Sequence, residues 1–236
     1  MWSGPRNIST AMMYSFDNRE DCYATDEPLY ANFLMSTGVN HPGAREVTNN
    51  HETNLESVIS KLTGPIPNDK TLWYQKHMCH HVSEGSDISW IRGLTNCFLI
   101  RDPREVLLSL SKVTNSIDLM STGLPQQIRI VEYLISESGY APPIIDSNDV
   151  LANPSSMLRK LCDSAGIKFD DNMLSWEPGP RACDGIWAKH WYDSVWGSSE
   201  FAPPSPRSGE LHSSLSGVLE EAMPMYQKLK DIRICD

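Results

Sequence analysis

Apolar and polar positions along this chain switch between two periods. Short apolar runs rich in β-branched or aromatic residues, Cys22–Thr25, Thr71–Gln75, Thr95–Ile100 and Pro143–Asp146, read as strands, and only Met1 and Trp2 remain for a strand ahead of the first glycine turn. Between them, Ile8–Asn18, Glu52–Leu62, Pro103–Lys112, Gln126–Ser138, Ser155–Ala165 and Leu211–Lys230 carry helical spacing. Asn153-Pro154 suits a helix start and Gly166 a left-handed cap at its end. Strands alternating with helices predict an α/β fold with a central, mainly parallel sheet and crossover helices. Thr37–Thr48 and Ser198–Gly209, the latter with Pro203, Pro204 and Pro206, read as loops, as do Tyr30–Arg45 and Thr114–Pro125, where an acceptor pocket would vary. No second core follows them, so one domain over residues 1–236 is expected.

Charge narrows the partners. A formal net charge of −10 argues against nucleic acid, which needs a clustered basic face, so any basic site is local. Arg6, Lys76, Arg101, Arg104, Arg181 and Lys189 gather around motifs, as a small polyanionic ligand would require. No run reaches the ~20 apolar residues of a membrane helix, and Met1–Thr10 lacks a signal-peptide core, so no membrane partner and a cytoplasmic location are expected. Six cysteines without CxxC spacing fit free thiols. Oligomeric state has no signature here.

Two segments carry candidate chemistry. Ser3-Gly4-Pro5-Arg6-Asn7-Ile8-Ser9-Thr10 is a glycine turn leading into an apolar-periodic helix, which collects unpaired N–H groups and a positive helix end around one anion. The plainer alternative is a helix start capped by Asn7 or Ser9. The Walker pattern is absent, since isoleucine stands before Ser-Thr where an NTPase carries lysine; a nucleotide-hydrolysing phosphotransferase is disfavoured. In the second segment, Asn96–Ile100 delivers Arg101 at a strand's carboxyl end, and Pro103 starts a helix that places Ser109 two turns in. A guanidinium there matches phosphate oxygens; alternatively, Asp102 and Glu105 simply cap the helix.

Together the segments resemble the sulfotransferases that use 3′-phosphoadenosine 5′-phosphosulfate, a branch of the P-loop fold with three layers. In that family a Pro-(Lys/Arg)-Ser-Gly-(Thr/Ser)-Thr loop holds the 5′-phosphosulfate, and this chain has Pro5-Arg6-Asn7-Ile8-Ser9-Thr10, departing at Asn7 and Ile8. The resemblance implies that Gly4 through Thr10 bind the donor and that Arg101 and Ser109 bind its 3′-phosphate. Arg181, Gly185 and Trp187 sit in register with a late cofactor loop of the cytosolic members. Asp146–Trp176 is similar to the helical stretch after the fourth strand. More narrowly, Trp2–Thr10 with Asp26–Tyr30 and Gln75–Met78 resembles a subgroup related to the amino-terminal part of branched-chain aminotransferase-like proteins. The implied function is sulfuryl transfer to a hydroxyl of a small-molecule acceptor, leaving adenosine 3′,5′-bisphosphate. A catalytically inactive module that binds these nucleotides is the alternative, motivated by Asn7-Ile8.

Arg6 and Lys76 are the candidates for stabilising developing charge, and two residues compete to take the acceptor proton. Glu27 follows the second strand, as the base does in carbohydrate and tyrosyl-protein sulfotransferases. His77 follows Thr71–Gln75 in Gln-Lys-His, similar to the Lys-x-His of cytosolic members, and an imidazole needs little tuning near neutrality, which favours it slightly. Plain alternatives are a helix-start carboxylate and a polar strand end. His77, Cys79, His80 and His81 lack HExxH spacing and an intervening carboxylate, so no metal is expected. Trp187, Trp191, Tyr192 and Trp196, at near-helical spacing, form either core or an aromatic acceptor wall.

Overall fold

The computed structural model describes residues 1–114, 116–204 and 209–235; Pro206, in the proline-rich segment, lies outside them. Five strands run β1 (Trp2–Ser3), β2 (Cys22–Asp26), β3 (Leu72–Met78), β4 (Phe98–Ile100) and β5 (Ile144–Asp146). They form one sheet in the order β2-β3-β1-β4-β5, with every pairing parallel. The helices among the described residues are α1 (Ser9–Asp17), α2 (Tyr30–Thr37), α3 (Ala44–Asn50), α4 (Leu55–Leu62), α5 (Pro103–Leu110), α6 (Leu124–Ser138), α7 (Ser147–Ala152), α8 (Pro154–Ala165), α9 (Ala188–Trp191), α10 (Asp193–Trp196) and α11 (Ser216–Lys230).

The strand stub ahead of the glycine turn is the middle of the sheet. β1 has two residues, yet Trp2 pairs with both His77 and Phe98, and its amide donates to the Cys97 carbonyl over 2.8 Å. Neighbours on both sides satisfy its backbone groups, so two residues suffice. Strand alternation then sorts side chains into two layers. Leu99 and Ile145 join Met12, Met13, Phe16 and Leu158 on one face, while Phe98, Ile100 and Ile144 join Trp2, Ile130 and Tyr226 on the other. A sheet covered on both faces is the α/β fold the sequence predicts.

Helix starts follow local chemistry. Asp102 accepts from the Arg104 amide at 2.8 Å, with Pro103 in the first turn of α5, and Asn153 accepts from the Ser156 amide ahead of α8. Gly166 closes α8 at a φ of 71°, as predicted. Two expectations change. Tyr30–Arg45 and Thr37–Thr48 are not loops throughout, because α2 fills Tyr30–Thr37 and α3 begins at Ala44. Their buried residues, Tyr30, Ala31, Leu34 and Val47, are too few for a long helical period, and contact with the first core layer holds both short helices. The other change is that β3 continues through Met78 instead of ending at Gln75.

Candidate active site

All five strands are parallel, so their carboxyl ends share one edge of the sheet, the edge where ligands bind such folds. The turn after β1 is tightly seated there. A Cβ on Gly4 would stand 2.4 Å from the Thr122 carbonyl oxygen, so only glycine fits. Arg6 and Ile8 both take positive φ, 63° and 56°, in a region that costs a residue with a Cβ about 1–2 kcal/mol. Ile8, not Asn7 or Ser9, is the cap residue of α1, and it makes no side-chain cap bond. The first-turn amides of α1 are therefore left for a ligand. Asn7 turns inward instead: its Nδ2 donates to the Leu99 carbonyl at 3.1 Å, and its own carbonyl accepts from Ser147 Oγ at 3.1 Å.

The two sequence motifs meet through their side chains. Arg6 Nε donates to Ser109 Oγ at 2.8 Å, and Arg101 donates to the Arg6 carbonyl at 2.9 Å. Arg101 also binds Glu105 Oε2 through two nitrogens, at 2.9 and 2.7 Å. A guanidinium has five N–H groups and these contacts use three, so donors remain for an anion. The helix-start carboxylate and the arginine anchor, alternatives in the sequence, are one constellation.

Facing them is a buried cation held by two carboxylates. Lys76 is 1% exposed; its Nζ lies 2.8 Å from Asp26 Oδ1, 2.6 Å from Glu27 Oε1 and 2.6 Å from the Tyr192 hydroxyl. Register builds this group: Lys76 sits beside Asp26 across the β2–β3 pairing, and Glu27 follows directly. Tyr192 also donates to Asp26, as does the Gly185 amide at 3.0 Å. Burial works to lower the Lys76 pKa, but Asp26 and Glu27 outweigh it and hold the ammonium charged. Burial pushes the Glu27 carboxyl above its ordinary range, with Lys76 opposing. Glu27 itself has a φ of 38°, strained backbone of the kind that gathers at functional sites.

The extension of β3 decides where its histidine points. Lys76 and His77 are consecutive strand residues, so they face opposite sides of the sheet. His77 is 2% exposed, stacks on Trp2 at 4.3 Å and contacts Gln75 Oε1 through Nε2 at 3.1 Å. Arg181 is also away from the anion loop: it pairs with Asp17 at 2.6 Å, at the far end of α1. Gly185 and Trp187 pack against each other, since a Cβ on Gly185 would sit 2.2 Å from the Trp187 ring, which is itself buried in the core.

A cleft of about 1200 Å³ joins the parts. Pro5 through Ala11, Arg101, Lys76 and Glu27 line it, and His77, Arg181, Gly185 and Trp187 do not. Beyond Glu27 its wall is aromatic: Tyr30, Phe33, His41, His80, His81 and Trp191. The Trp187–Trp196 stripe thus divides, with Trp187 in the core and Trp191 and Tyr192 on the cleft. Asp26 is a site residue that motif reading passed over, while Tyr192 and His81, weighed there as an aromatic wall and as a metal group, join the lysine–carboxylate group instead. The Asp-Glu dipeptide at a strand end beside a strand lysine was the available signal for Asp26. No group of three or more His, Cys, Asp or Glu among the described residues could hold a metal ion.

Comparison with known proteins shows the family. The profile of the family described as "Sulfotransferase domain" matches residues 1–233. Two Arabidopsis thaliana proteins, branched-chain-amino-acid aminotransferase-like proteins 2 and 1, are 34% and 35% identical over 229 residues, 97% of this chain. The chain spans only 40% and 41% of their lengths. Among solved structures, the sulfotransferase domain from the Synechococcus PCC 7002 olefin synthase aligns at a TM-score of 0.50 and 16% identity, covering 93% of this chain and 92% of that one. The sulfotransferase domain from the curacin biosynthetic pathway aligns at 0.48 and 14%, over 99% and 90% of the two chains.

Proposed function

This chain belongs to the sulfotransferase domain family, and from that premise we propose that it transfers a sulfuryl group from 3′-phosphoadenosine 5′-phosphosulfate to a hydroxyl of a small-molecule acceptor. The observation that carries the proposal is the single cleft onto which an uncapped helix start, two arginines and a lysine–carboxylate group all open. The residues suit the donor. Its anionic groups need N–H donors and fixed positive charge, which the first turn of α1, Arg6 and Arg101 supply. When bound, the donor provides a sulfuryl group already activated for transfer.

The protein's part is alignment, charge compensation and proton removal. The turn from Pro5 to Thr10 holds the phosphosulfate end. Arg101 and Ser109 hold the 3′-phosphate, a role carried by the family resemblance and favoured by the unspent donors of Arg101. Lys76 and Arg6 offset charge developing on the leaving oxygen. Glu27 takes the acceptor proton: it opens on the cleft, and burial raises its pKa above the ordinary carboxylate range. His77 has no part in this scheme, while Arg181, Gly185 and Trp187 brace α1 and Asp26 from behind. Ile8 stands where an NTPase places its lysine, which disfavours ATP.

The test is a thermal-shift titration with adenosine 3′,5′-bisphosphate against magnesium-ATP. Saturating bisphosphate should raise the midpoint by roughly 5–10 °C, about 2.7 kcal/mol at one hundred times Kd. Equal or greater stabilisation by ATP would sink the reading. Bisphosphate binding with no sulfate leaving the donor would identify an inactive binding module.

A further inference from the structure

His80 and His81 follow β3 in a single turn and belong to neither donor motif. The His81 ring lies between Tyr30, at 4.9 Å and 13°, and Phe33, at 4.7 Å and 27°, and is 3% exposed. Its Nδ1 is buried with no hydrogen-bond partner among the described residues, so its polar bonding falls to Nε2. That atom stands 3.9 Å from Glu27 Oε2, the oxygen of Glu27 opposite the one held by Lys76. The gap is too long for a hydrogen bond, yet one oxygen atom about 2.8 Å from both would fit between them.

We propose that His81 is a further catalytic residue that, with Glu27, clasps the acceptor hydroxyl between Nε2 and Oε2, and that this clasp selects oxygen over nitrogen acceptors. The inference rests on the sulfuryl-transfer reading. The hydroxyl donates its proton to Glu27 Oε2 and accepts from the Nε2–H of His81 with one lone pair. Its second lone pair forms the new bond to sulfur. The bond from sulfur to the bridging oxygen breaks, its electron pair leaves with adenosine 3′,5′-bisphosphate, and the acceptor proton ends on Glu27. A neutral amine has one lone pair, so accepting from His81 occupies the pair needed for attack. Burial, then His80 and Lys76, keep the His81 pKa low, so the ring is a neutral donor rather than an imidazolium.

The test compares the wild-type chain with His81→Phe and His81→Gln, using 3′-phosphoadenosine 5′-phosphosulfate with the phenol 4-methylumbelliferone, the matching aminocoumarin, and water as background acceptor. Wild type should favour the phenol over the amine by tenfold or more. His81→Phe preserves the stack on Tyr30 and Phe33 but should lower kcat on the phenol ten- to hundredfold, with bisphosphate affinity unchanged. His81→Gln, which returns an N–H near Nε2, should recover most of that loss. Equal phenol and amine rates, or a glutamine variant as slow as the phenylalanine one, overturn the clasp. Binding of the bisphosphate without transfer to either the phenol or water identifies the inactive module and overturns the clasp with it. Failure to bind the bisphosphate at all overturns the sulfuryl-transfer reading instead.

Discussion

Arg6 Nε donates to Ser109 Oγ across 2.8 Å, tying the turn before α1 to the second turn of α5. Arg101 reinforces the link through the Arg6 carbonyl, so the two motifs form one hydrogen-bonded unit. Arg101→Ala should weaken adenosine 3′,5′-bisphosphate binding by about 2–3 kcal/mol, roughly 30- to 150-fold, as expected for losing charge-assisted bonds. Ser109→Ala should cost less, about tenfold, because it removes one hydroxyl and no cation. Isothermal titration measures both, and an Arg101→Ala affinity within threefold of wild type would remove Arg101 from the donor site.

Glu27→Gln keeps a carbonyl oxygen for Lys76 and removes the proposed proton acceptor. Turnover should fall by about 10²–10⁴ while bisphosphate affinity holds. The acid limb of the wild-type rate profile should lie above the ordinary carboxylate range, because burial raises the Glu27 pKa and the base works only when ionised. Rate therefore rises with pH through that value. A limb in the normal carboxylate range would place the base elsewhere.

His77→Phe is the matching contrast. The substitution retains the stack on Trp2 and gives up the contact with Gln75, so it should cost about 1–2 kcal/mol of stability and leave kcat within threefold. A kcat loss as large as that of Glu27→Gln would return the base to His77.

Lys76 is a buried charge whose counterions stay behind when it is removed. Lys76→Met should destabilise the fold by about 3–5 kcal/mol, read from urea denaturation. Pairing it with Asp26→Asn should restore part of that loss, because one stranded carboxylate becomes neutral. Additive losses in the double variant would show that the two residues are not coupled.

Three histidines make the fold acid-sensitive. Burial holds His77 and His81 well below their ordinary pKa and brings His80 to about 4. The unfolded chain takes up these protons near pH 6.5 and the folded chain does not, so stability is lost as pH falls from about 6.5 toward 4. The raised pKa of Glu27 acts in the opposite sense, since the folded state binds that proton first. A denaturation midpoint measured from pH 7 to pH 5 should fall; a rising midpoint would mean that Glu27 dominates.

Much of this arrangement was legible in the residues. Strand runs, Pro103 and Gly166 located the sheet and two helix boundaries, and the two local patterns that carry Arg6, Arg101 and Ser109 are brought together in the fold. The extent of β3 was harder to read, since Lys76 and His77 look like a strand end by hydropathy. Pairing of Lys76 with Asp26 and of His77 with Trp2 keeps them in the strand, and the strand's alternation fixes which one reaches the cleft. Arg181, Gly185 and Trp187 matched a motif in order, but Arg181 pairs with Asp17, Gly185 binds Asp26 and Trp187 is buried in the core, contacts between distant segments that a linear motif does not contain. The aromatic wall draws on Tyr30, His81 and Trp191, far apart in the chain, and no single window contains it.

Ile8 carries one more implication. Glycine at that φ would be at ease and would also leave the turn many shapes; a branched residue reaches fewer conformations, and the surrounding turn holds it in this costly one. Ile8→Gly should therefore loosen the empty site and slow nothing in the filled one, since the loss would be of preorganisation rather than of contacts. The turn resembles a cast set before the object arrives: stability is given up in folding so that little ordering remains to be done when the anion enters.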